Sequence, residues 1–319
     1  MADRDTDTLA PGTIPRTRGW GIALAFATAL ISGFAVFVNG YGVKRFPTPT
    51  SYTTAKNLVA ALLLVALAAV VTARRSPAAW TSPHSAGERL GLLAVGVIGG
   101  GMAFVLFFEG LARASSPDAA FIHKTLVVWV ALLAIPLLGE RLGPAHVGAI
   151  ALLVLGQAEL TVGLGDLGFD DGEVMIGAAT LLWAIEVVIA KRLLASLSPL
   201  TVGVSRMTIG VGVLVGYLAI RGDLAQLTDA GASAWWWALL TGAILTGYVV
   251  TWFAALARAQ AIDVTAVLVF GAVITALLDR WFEGAAIAPQ WLGLLLITVG
   301  AAGVAAVAVR SRATRAAPA

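Results

Sequence analysis

The chain has 319 residues, of which 59% are hydrophobic and only 12% are charged, and its formal net charge is +3. Soluble domains carry about 25% charged residues, so this composition excludes an ordinary soluble protein. The absence of cysteine excludes disulfides, thiolate metal sites and cysteine nucleophiles. Most Lys and Arg residues lie in short loops beside apolar segments, a pattern that does not suggest nucleic-acid binding.

Ten apolar segments follow one another along the chain. Each is close to the roughly 20 residues that cross about 30 Å of hydrocarbon as a helix. A helix is required because lipid offers the backbone no hydrogen-bond partners. Before the first segment, residues 1–18 are predicted to form a disordered cytoplasmic leader, and residues 310–319 a cytoplasmic tail. The predicted spans are 19–41, 51–73, 89–112, 117–138, 144–162, 173–194, 199–221, 235–257, 263–282 and 289–309.

The array of spans contains an internal repeat. Ala-Arg-Ala at residues 112–114, followed by Asp118, reappears at residues 257–259, followed by Asp263, which is a shift of 145 residues. Two related halves in a polytopic membrane protein are typical of secondary transporters, because the substrate site forms between them. The predicted five-helix units are residues 19–162 and residues 163–309.

Lys and Arg are distributed unevenly between the two ends of the predicted bundle. An even number of spans places both termini on one side, and that side carries thirteen of the 21 Lys and Arg residues, against five on the other. The positive-inside rule therefore predicts that both termini are cytoplasmic. Five spans in each half then insert the second half upside down. The predicted fold is an all-α integral membrane protein with ten transmembrane helices in two inverted five-helix repeats.

A pattern around the fourth predicted span resembles the EamA repeat of the drug/metabolite transporter superfamily. Gly-Leu-Ala-Arg at residues 110–113 precedes the span, and Leu-Gly-Glu-Arg-Leu at residues 138–142 follows it, with Pro144 next. The second half echoes this pattern with Glu283 and Pro289. The resemblance covers residues 19–309. It implies a multi-pass exporter or exchanger of small metabolites in the bacterial inner membrane, and it does not name a substrate.

Ionisable side chains within the spans are candidate substrate-binding residues, because a charge at bilayer depth is costly unless it is paired or hydrated. Lys124 lies in an otherwise apolar stretch of the fourth span. It would balance a carboxylate or phosphate on the substrate, unless it snorkels or pairs with Glu109 or Glu159. His123 would donate to the substrate or take up a proton, or form an ordinary interhelical hydrogen bond. Glu109, near the outer end of the third span, is a further candidate.

The sixth span carries the deepest carboxylate, Glu186. It is a candidate proton carrier or ligand for a substrate amine, and the alternative is an ion pair with Lys124 or Arg206. Trp183 lies three residues earlier on the same helical face, where it would stack on a ring or a cation.

Aromatic residues recur at helical spacing in the third and eighth spans, which are equivalent in the two halves. We expect these side chains to line opposite walls of a central cavity, and core packing or lipid contact is the alternative. The residues are Phe104, Phe108, Tyr248 and Trp252.

Two further features have structural interpretations. Glu140 and Glu283 end their spans and are expected to bind helix ends or loop donors. The three consecutive glycines at residues 99–101 favour close helix packing, and a hinge is the alternative because consecutive glycines weaken a helix.

These observations predict a secondary transporter that exports small metabolites such as amino acids across the bacterial inner membrane by alternating access. The sequence has no Walker motif, nucleophile elbow or His-Glu-x-x-His, so we expect neither an enzyme nor a bound cofactor or metal. The expected partners are a small-molecule substrate and the lipid bilayer, without nucleic acid. Proton coupling and a homodimer are left open.

Three alternatives remain from the sequence. An exchanger of larger anions such as nucleotide sugars would need at least two cations in the cavity, and Lys56, Lys124 and Arg206 are available for that role. An integral membrane enzyme that acts on lipid-linked substrates is the second alternative; it would need paired carboxylates or a metal cluster at the interface, whereas the polar groups here are scattered singly. A non-transporting membrane protein is the third alternative, and it gives no reason for Lys124 or Glu186 at bilayer depth.

Overall fold

The computed structural model describes residues 18–74, 80–114, 116–160, 170–284 and 291–310. All regular structure in this part of the chain is helical. The predicted leader and tail lie outside the described residues, apart from Arg18 and Arg310, which belong to the first and last helices.

Fourteen α-helices are present in the described residues, because several membrane-crossing segments are interrupted. They are α1 (Arg18–Gly42), α2 (Pro49–Ala73), α3 (Ala86–Ala94), α4 (Ala103–Leu111), α5 (Ser116–Lys124), α6 (Leu126–Leu138), α7 (Pro144–Leu160), α8 (Asp171–Leu193), α9 (Pro199–Arg221), α10 (Ala225–Thr228), α11 (Ala232–Leu256), α12 (Ala261–Leu268), α13 (Gly271–Glu283) and α14 (Trp291–Arg310).

Nine segments of the described chain are long and apolar enough to cross a membrane, and they match nine of the ten predicted spans. The tenth, the predicted fifth span, corresponds to α7, an apolar helix of 17 residues. The nine segments are Gly19–Arg45, Pro49–Ala73, Ala86–Leu111, Ala119–Leu138, Asp171–Leu193, Pro199–Arg221, Ala232–Leu256, Ala261–Glu283 and Trp291–Arg310.

Three of these segments contain a local break. A π-helical segment, Val95–Met102, joins α3 to α4. Thr125 separates α5 from α6, and Val269 and Phe270 separate α12 from α13. The second and third breaks occupy equivalent positions, since the repeat shift of 145 residues carries Thr125 onto Phe270. Interrupted helices at corresponding positions of two halves are a frequent mark of the substrate site in transporters.

Glycines allow several helix pairs to approach closely. α7 and α14 touch at Gly156 and Gly293, where a methyl group on either glycine would lie 2.7 Å from the carbonyl oxygen of the other. Further along the same pair, a methyl group on Gly300 would lie 2.8 Å from the carbonyl oxygen of Ala149. These contacts make α7 and α14 antiparallel, so α14 ends beside the start of α7.

Both ends of the described chain lie at the same end of the helix bundle, which we call the proximal end. Gly21, in the first turn of α1, packs against Arg258 and Ala259. Ala259 in turn lines a surface depression together with Glu140, which precedes α7 by four residues. The opposite end, where α1 ends and α2 begins, is the distal end.

Candidate functional site

A cavity of about 230 Å³ lies inside the bundle, and helices from both sequence repeats line it. Its walls come from α1, α2 and α4–α6 in the first half of the chain and from α8, α9, α11 and α12 in the second. Eight of the nine residues predicted to bind substrate line this cavity: Phe104, Phe108, His123, Lys124, Trp183, Glu186, Tyr248 and Trp252.

Glu109 is the ninth predicted residue, and it is absent from the cavity lining. Its carboxylate lies 3.0 Å from Arg113 Nη1 on the next helical turn and accepts a hydrogen bond of 3.3 Å from the Thr50 hydroxyl. The structure therefore engages Glu109 at the distal end of α4, and its role in substrate binding stays a prediction.

Glu186 forms a buried ion pair with Arg206. Arg206 Nε donates to one carboxylate oxygen at 2.6 Å, and Arg206 Nη2 donates to the other at 3.2 Å. Glu186 is 3% exposed and Arg206 is 8% exposed. The pair links α8 to α9 and matches one of the two partners that the sequence allowed for Glu186.

The same pair is tied to the π-helical segment through the carbonyl oxygen of Gly99. This oxygen accepts hydrogen bonds from Arg206 Nη2 at 3.2 Å and from Trp183 Nε1 at 3.0 Å. The segment has π geometry where it ends, because Ala103 N–H donates to Ile98, five residues earlier. A side-chain donor therefore meets the backbone of α3–α4 at the cavity wall.

The run of glycines at residues 99–101 makes room for this arrangement. A methyl group on Gly99 would lie 1.9 Å from a carboxylate oxygen of Glu186, and one on Gly100 would lie 2.2 Å from the carbonyl oxygen of Arg206. Both distances are far below a van der Waals contact. Close packing therefore explains these two glycines, as the first of the two sequence interpretations expected.

Two lysines also line the cavity. Lys56 is 6% exposed, and its ammonium group lies 5.2 Å from the ring centre of Tyr52 and 5.3 Å from that of Phe108. Lys124 is the last residue of α5 and lies at the break before α6. Among the described residues, no carboxylate lies within 4.0 Å of either ammonium group. The pairing of Lys124 with Glu109 or Glu159 that the sequence allowed is therefore wrong for the described structure.

Aromatic rings form much of the remaining cavity wall. Phe104 and Phe108 are stacked at 6.4 Å on α4, and Tyr248 and Trp252 are stacked at 5.9 Å on α11. The helical spacing of these residues thus predicted their shared position at the cavity.

His123 packs into a further aromatic cluster on the same cavity. Its ring centre lies 4.9 Å from Trp183 and 5.2 Å from Phe107, and its buried Nδ1 has no hydrogen-bond partner in the described structure. Phe107 also lines the cavity, and the sequence analysis missed it. Its position one helical turn after Phe104 was the available signal.

Charged side chains bind helix ends at the proximal end of the bundle. The Glu140 carboxylate accepts hydrogen bonds from the backbone N–H groups of Ala261 at 2.6 Å and Ile262 at 3.1 Å, at the start of α12. Burial raises the pKa of the Glu140 carboxyl, and these two backbone donors oppose the rise. The expectation that Glu140 binds a helix end is confirmed.

The last turn of α8 supplies two further proximal contacts. The Lys191 ammonium group donates to the carbonyl oxygens of Leu256 and Ala259, at the end of α11. Arg192 Nη2 donates to the carbonyl oxygen of Leu137 at 2.7 Å, at the end of α6. Cations are favourable at helix C-termini, so these contacts stabilise the packing of the helix ends at the proximal end.

At the distal end, side-chain donors and acceptors bind each other across helices. Glu283, at the end of α13, accepts a hydrogen bond of 2.8 Å from the exposed Tyr41 hydroxyl. Glu283 therefore binds a side-chain donor, whereas Glu140 binds two backbone donors.

Comparison with known proteins gives one family and one fold. A model of the EamA-like transporter family matches residues 19–161 and 171–306. One solved structure, titled "Crystal structure of protein", is similar with a TM-score of 0.75 and 19% identity, covering 91% of this chain and 100% of its own. At that identity the likeness shows the fold alone. A search of curated proteins found no match.

Proposed function

The chain belongs to the EamA-like transporter family, and we propose that it is a secondary transporter that moves a small metabolite by alternating access. The central cavity carries this proposal, because both sequence repeats contribute to its walls. Lys124 precedes the break between α5 and α6, and Leu268 precedes the equivalent break between α12 and α13. A buried site of this kind between interrupted helices can open to either side when the halves rock against each other.

We propose that the proximal end faces the cytoplasm of a bacterial cell and that α7 crosses the membrane as the fifth of ten spans. The excess of Lys and Arg on the side of the termini supports this orientation. The contacts of Glu140, Lys191 and Arg192 then hold the cytoplasmic side closed. Five spans in each half then make the two sequence repeats inverted, and we propose that net movement is outward, as in an exporter.

The size of the cavity favours a small substrate over a nucleotide sugar. Its volume of about 230 Å³ is below the range of about 300–1,000 Å³ that is usual for small-molecule pockets. Arg206, one of the three cations that a large anion would need, is already engaged by Glu186. Metabolites of about the size of an amino acid are therefore the first candidates.

Counterflow in proteoliposomes tests this function. The vesicles would be loaded with a pool of unlabelled amino acids and small organic acids, and uptake of each labelled member would be followed with and without a pH gradient. We expect exchange of at least one member, lost in Lys124→Ala and kept in Lys44→Ala, because Lys44 is exposed and outside the cavity. A pH gradient that drives net flux would support proton coupling.

The absence of exchange would contradict the transport proposal. If correctly folded protein exchanges no member of the pool, and nucleotide sugars and cationic drugs are also not exchanged, the transport proposal is wrong. The hypothesis of a non-transporting membrane protein would then replace the transport proposal.

A further inference from the structure

We propose that this cavity selects a small organic anion, a carboxylate or phosphate ester with an apolar or aromatic body and no ammonium group. This inference rests on the proposed transport function and narrows its substrate class. It follows from the balance of charges in the cavity and from what surrounds them.

The described side chains that line the cavity carry more positive than negative charge. Glu186 is the single acidic residue among them, and the basic residues are Lys56, Lys124 and Arg206. Arg206 binds both oxygens of Glu186, so these two charges cancel. Two ammonium groups are left without a counter-charge among the described residues.

An uncompensated ammonium group inside a membrane protein costs several kcal/mol. The rings of Tyr52 and Phe108 stabilise Lys56 in part, at 5.2 and 5.3 Å from its ammonium group. Lys124 has no such ring contact and no hydrogen bond among the described residues, although it borders the cavity. A bound anion would supply the missing counter-charge, and charge-assisted hydrogen bonds from an ammonium group are among the stronger ones.

The same balance disfavours a zwitterion such as an amino acid. A substrate ammonium group needs an acidic acceptor, and Glu186 already accepts two hydrogen bonds from Arg206. Adding a third cation to the cavity would also increase the repulsion from Lys56 and Lys124. The stacked pairs Phe104–Phe108 and Tyr248–Trp252 offer apolar faces to the rest of the molecule.

Four probes with the same phenyl ring separate the charge types. Phenylpropanoate is a monoanion, phenylalanine is the same skeleton with an added ammonium group, phenethylamine is a cation, and phenyl phosphate carries the other anionic group. Binding of each to purified full-length protein in detergent would be measured by isothermal titration calorimetry. We expect phenylpropanoate or phenyl phosphate to bind on the order of tenfold more tightly than phenylalanine, and phenethylamine not to bind.

Variants then locate the anion. Lys124→Met should weaken binding of the anion by on the order of tenfold or more, Lys124→Arg should keep most of it, and Lys44→Ala should leave it unchanged. If Lys124→Met does not fold, Lys56→Met serves as the second test, and the probe series on the unmodified protein needs no variant.

The outcomes also separate this inference from the transport proposal. Tighter binding of phenylalanine or phenethylamine, no binding of any probe at millimolar concentration, or unchanged anion affinity in folded Lys124→Met would overturn the anion assignment. Exchange of zwitterions in proteoliposomes would then leave transport intact. Anion binding that depends on Lys124, without any flux, would support the anion site and contradict transport.

Discussion

Replacing Glu186 with Gln tests the buried ion pair at the centre of the bundle. Both partners are less than a tenth exposed, and two hydrogen bonds of 2.6 and 3.2 Å join them. The substitution leaves the Arg206 guanidinium buried without its counter-charge. Breaking a buried pair in this way costs about 3–5 kcal/mol, so Glu186→Gln should lower the stability of the folded protein by that amount.

The assay is thermal and denaturant unfolding in detergent, followed by tryptophan fluorescence and by retention of the monodisperse elution peak. The control is Glu159→Gln, an exposed carboxylate on α7, which should change stability by less than about 0.5 kcal/mol.

A double variant isolates the interaction itself. Glu186→Gln combined with Arg206→Met removes both charges, so no buried ion is left without a partner. The double variant should therefore be more stable than Glu186→Gln alone. If Glu186→Gln is as stable as the Glu159→Gln control, or if the two single losses simply add in the double variant, the ion pair does not hold these helices together.

Three further predictions concern packing and closure. Gly100→Ala should destabilise the protein by about 1–3 kcal/mol or more, because its methyl group would lie 2.2 Å from a backbone oxygen, whereas Gly212→Ala, with no atom within 4 Å, should not. Glu140→Ala removes two hydrogen bonds to a charged acceptor at the proximal end, each contributing about 1.5–3 kcal/mol. The equilibrium should then shift towards the state that is open at the proximal end and closed at the distal end. Maleimide labelling of a cavity cysteine, Ser32→Cys, from the distal side should therefore become slower. Pro117→Ala adds a backbone N–H donor near the distal end, which should favour the distally closed state and slow the same labelling. Unchanged labelling rates in either variant would contradict this account of closure.

The cavity residues could be predicted from the sequence because few polar or charged side chains are tolerated in the middle of a lipid bilayer. A lysine or glutamate in an apolar helix must turn toward the protein interior, and Lys124 and Glu186 both do. The stacked aromatic pairs follow from their spacing of four residues, which places two side chains on one helical face. Helix bounds were also predictable, since the length of a span is set by the thickness of the hydrocarbon.

The sequence indicates how deep a residue lies in the membrane, but it does not indicate which way the side chain points around the helix axis. Glu109 lies at a depth similar to that of Phe108, but consecutive residues are about 100° apart around a helix. Phe108 therefore lines the cavity while Glu109 lies against Thr50 and Arg113.

The ion-pair partner of Glu186 could not be predicted from the sequence either. The sequence allowed both Lys124 and Arg206 as partners of Glu186, and the choice depends on which helices are neighbours. The close approach of α9 to the π-helical segment, through Gly100 and Gly210, decides it.

The two ends of the bundle differ in a way that bears on which state is more stable. Glu140 binds the start of α12 at the proximal end by accepting hydrogen bonds from Ala261 and Ile262, and the repeat shift of 145 residues carries these two residues onto Ser116 and Pro117.

Proline has no backbone N–H, so a carboxylate that bound this segment at the distal end in the same way would gain one such hydrogen bond instead of two. One hydrogen bond to a charged group contributes about 1.5–3 kcal/mol, which is tenfold or more in an equilibrium between two states. If the halves act as an inverted repeat, as proposed, this difference favours a resting state with the proximal end closed. A substrate would then have to stabilise the opposite state by a similar amount to complete the transport cycle.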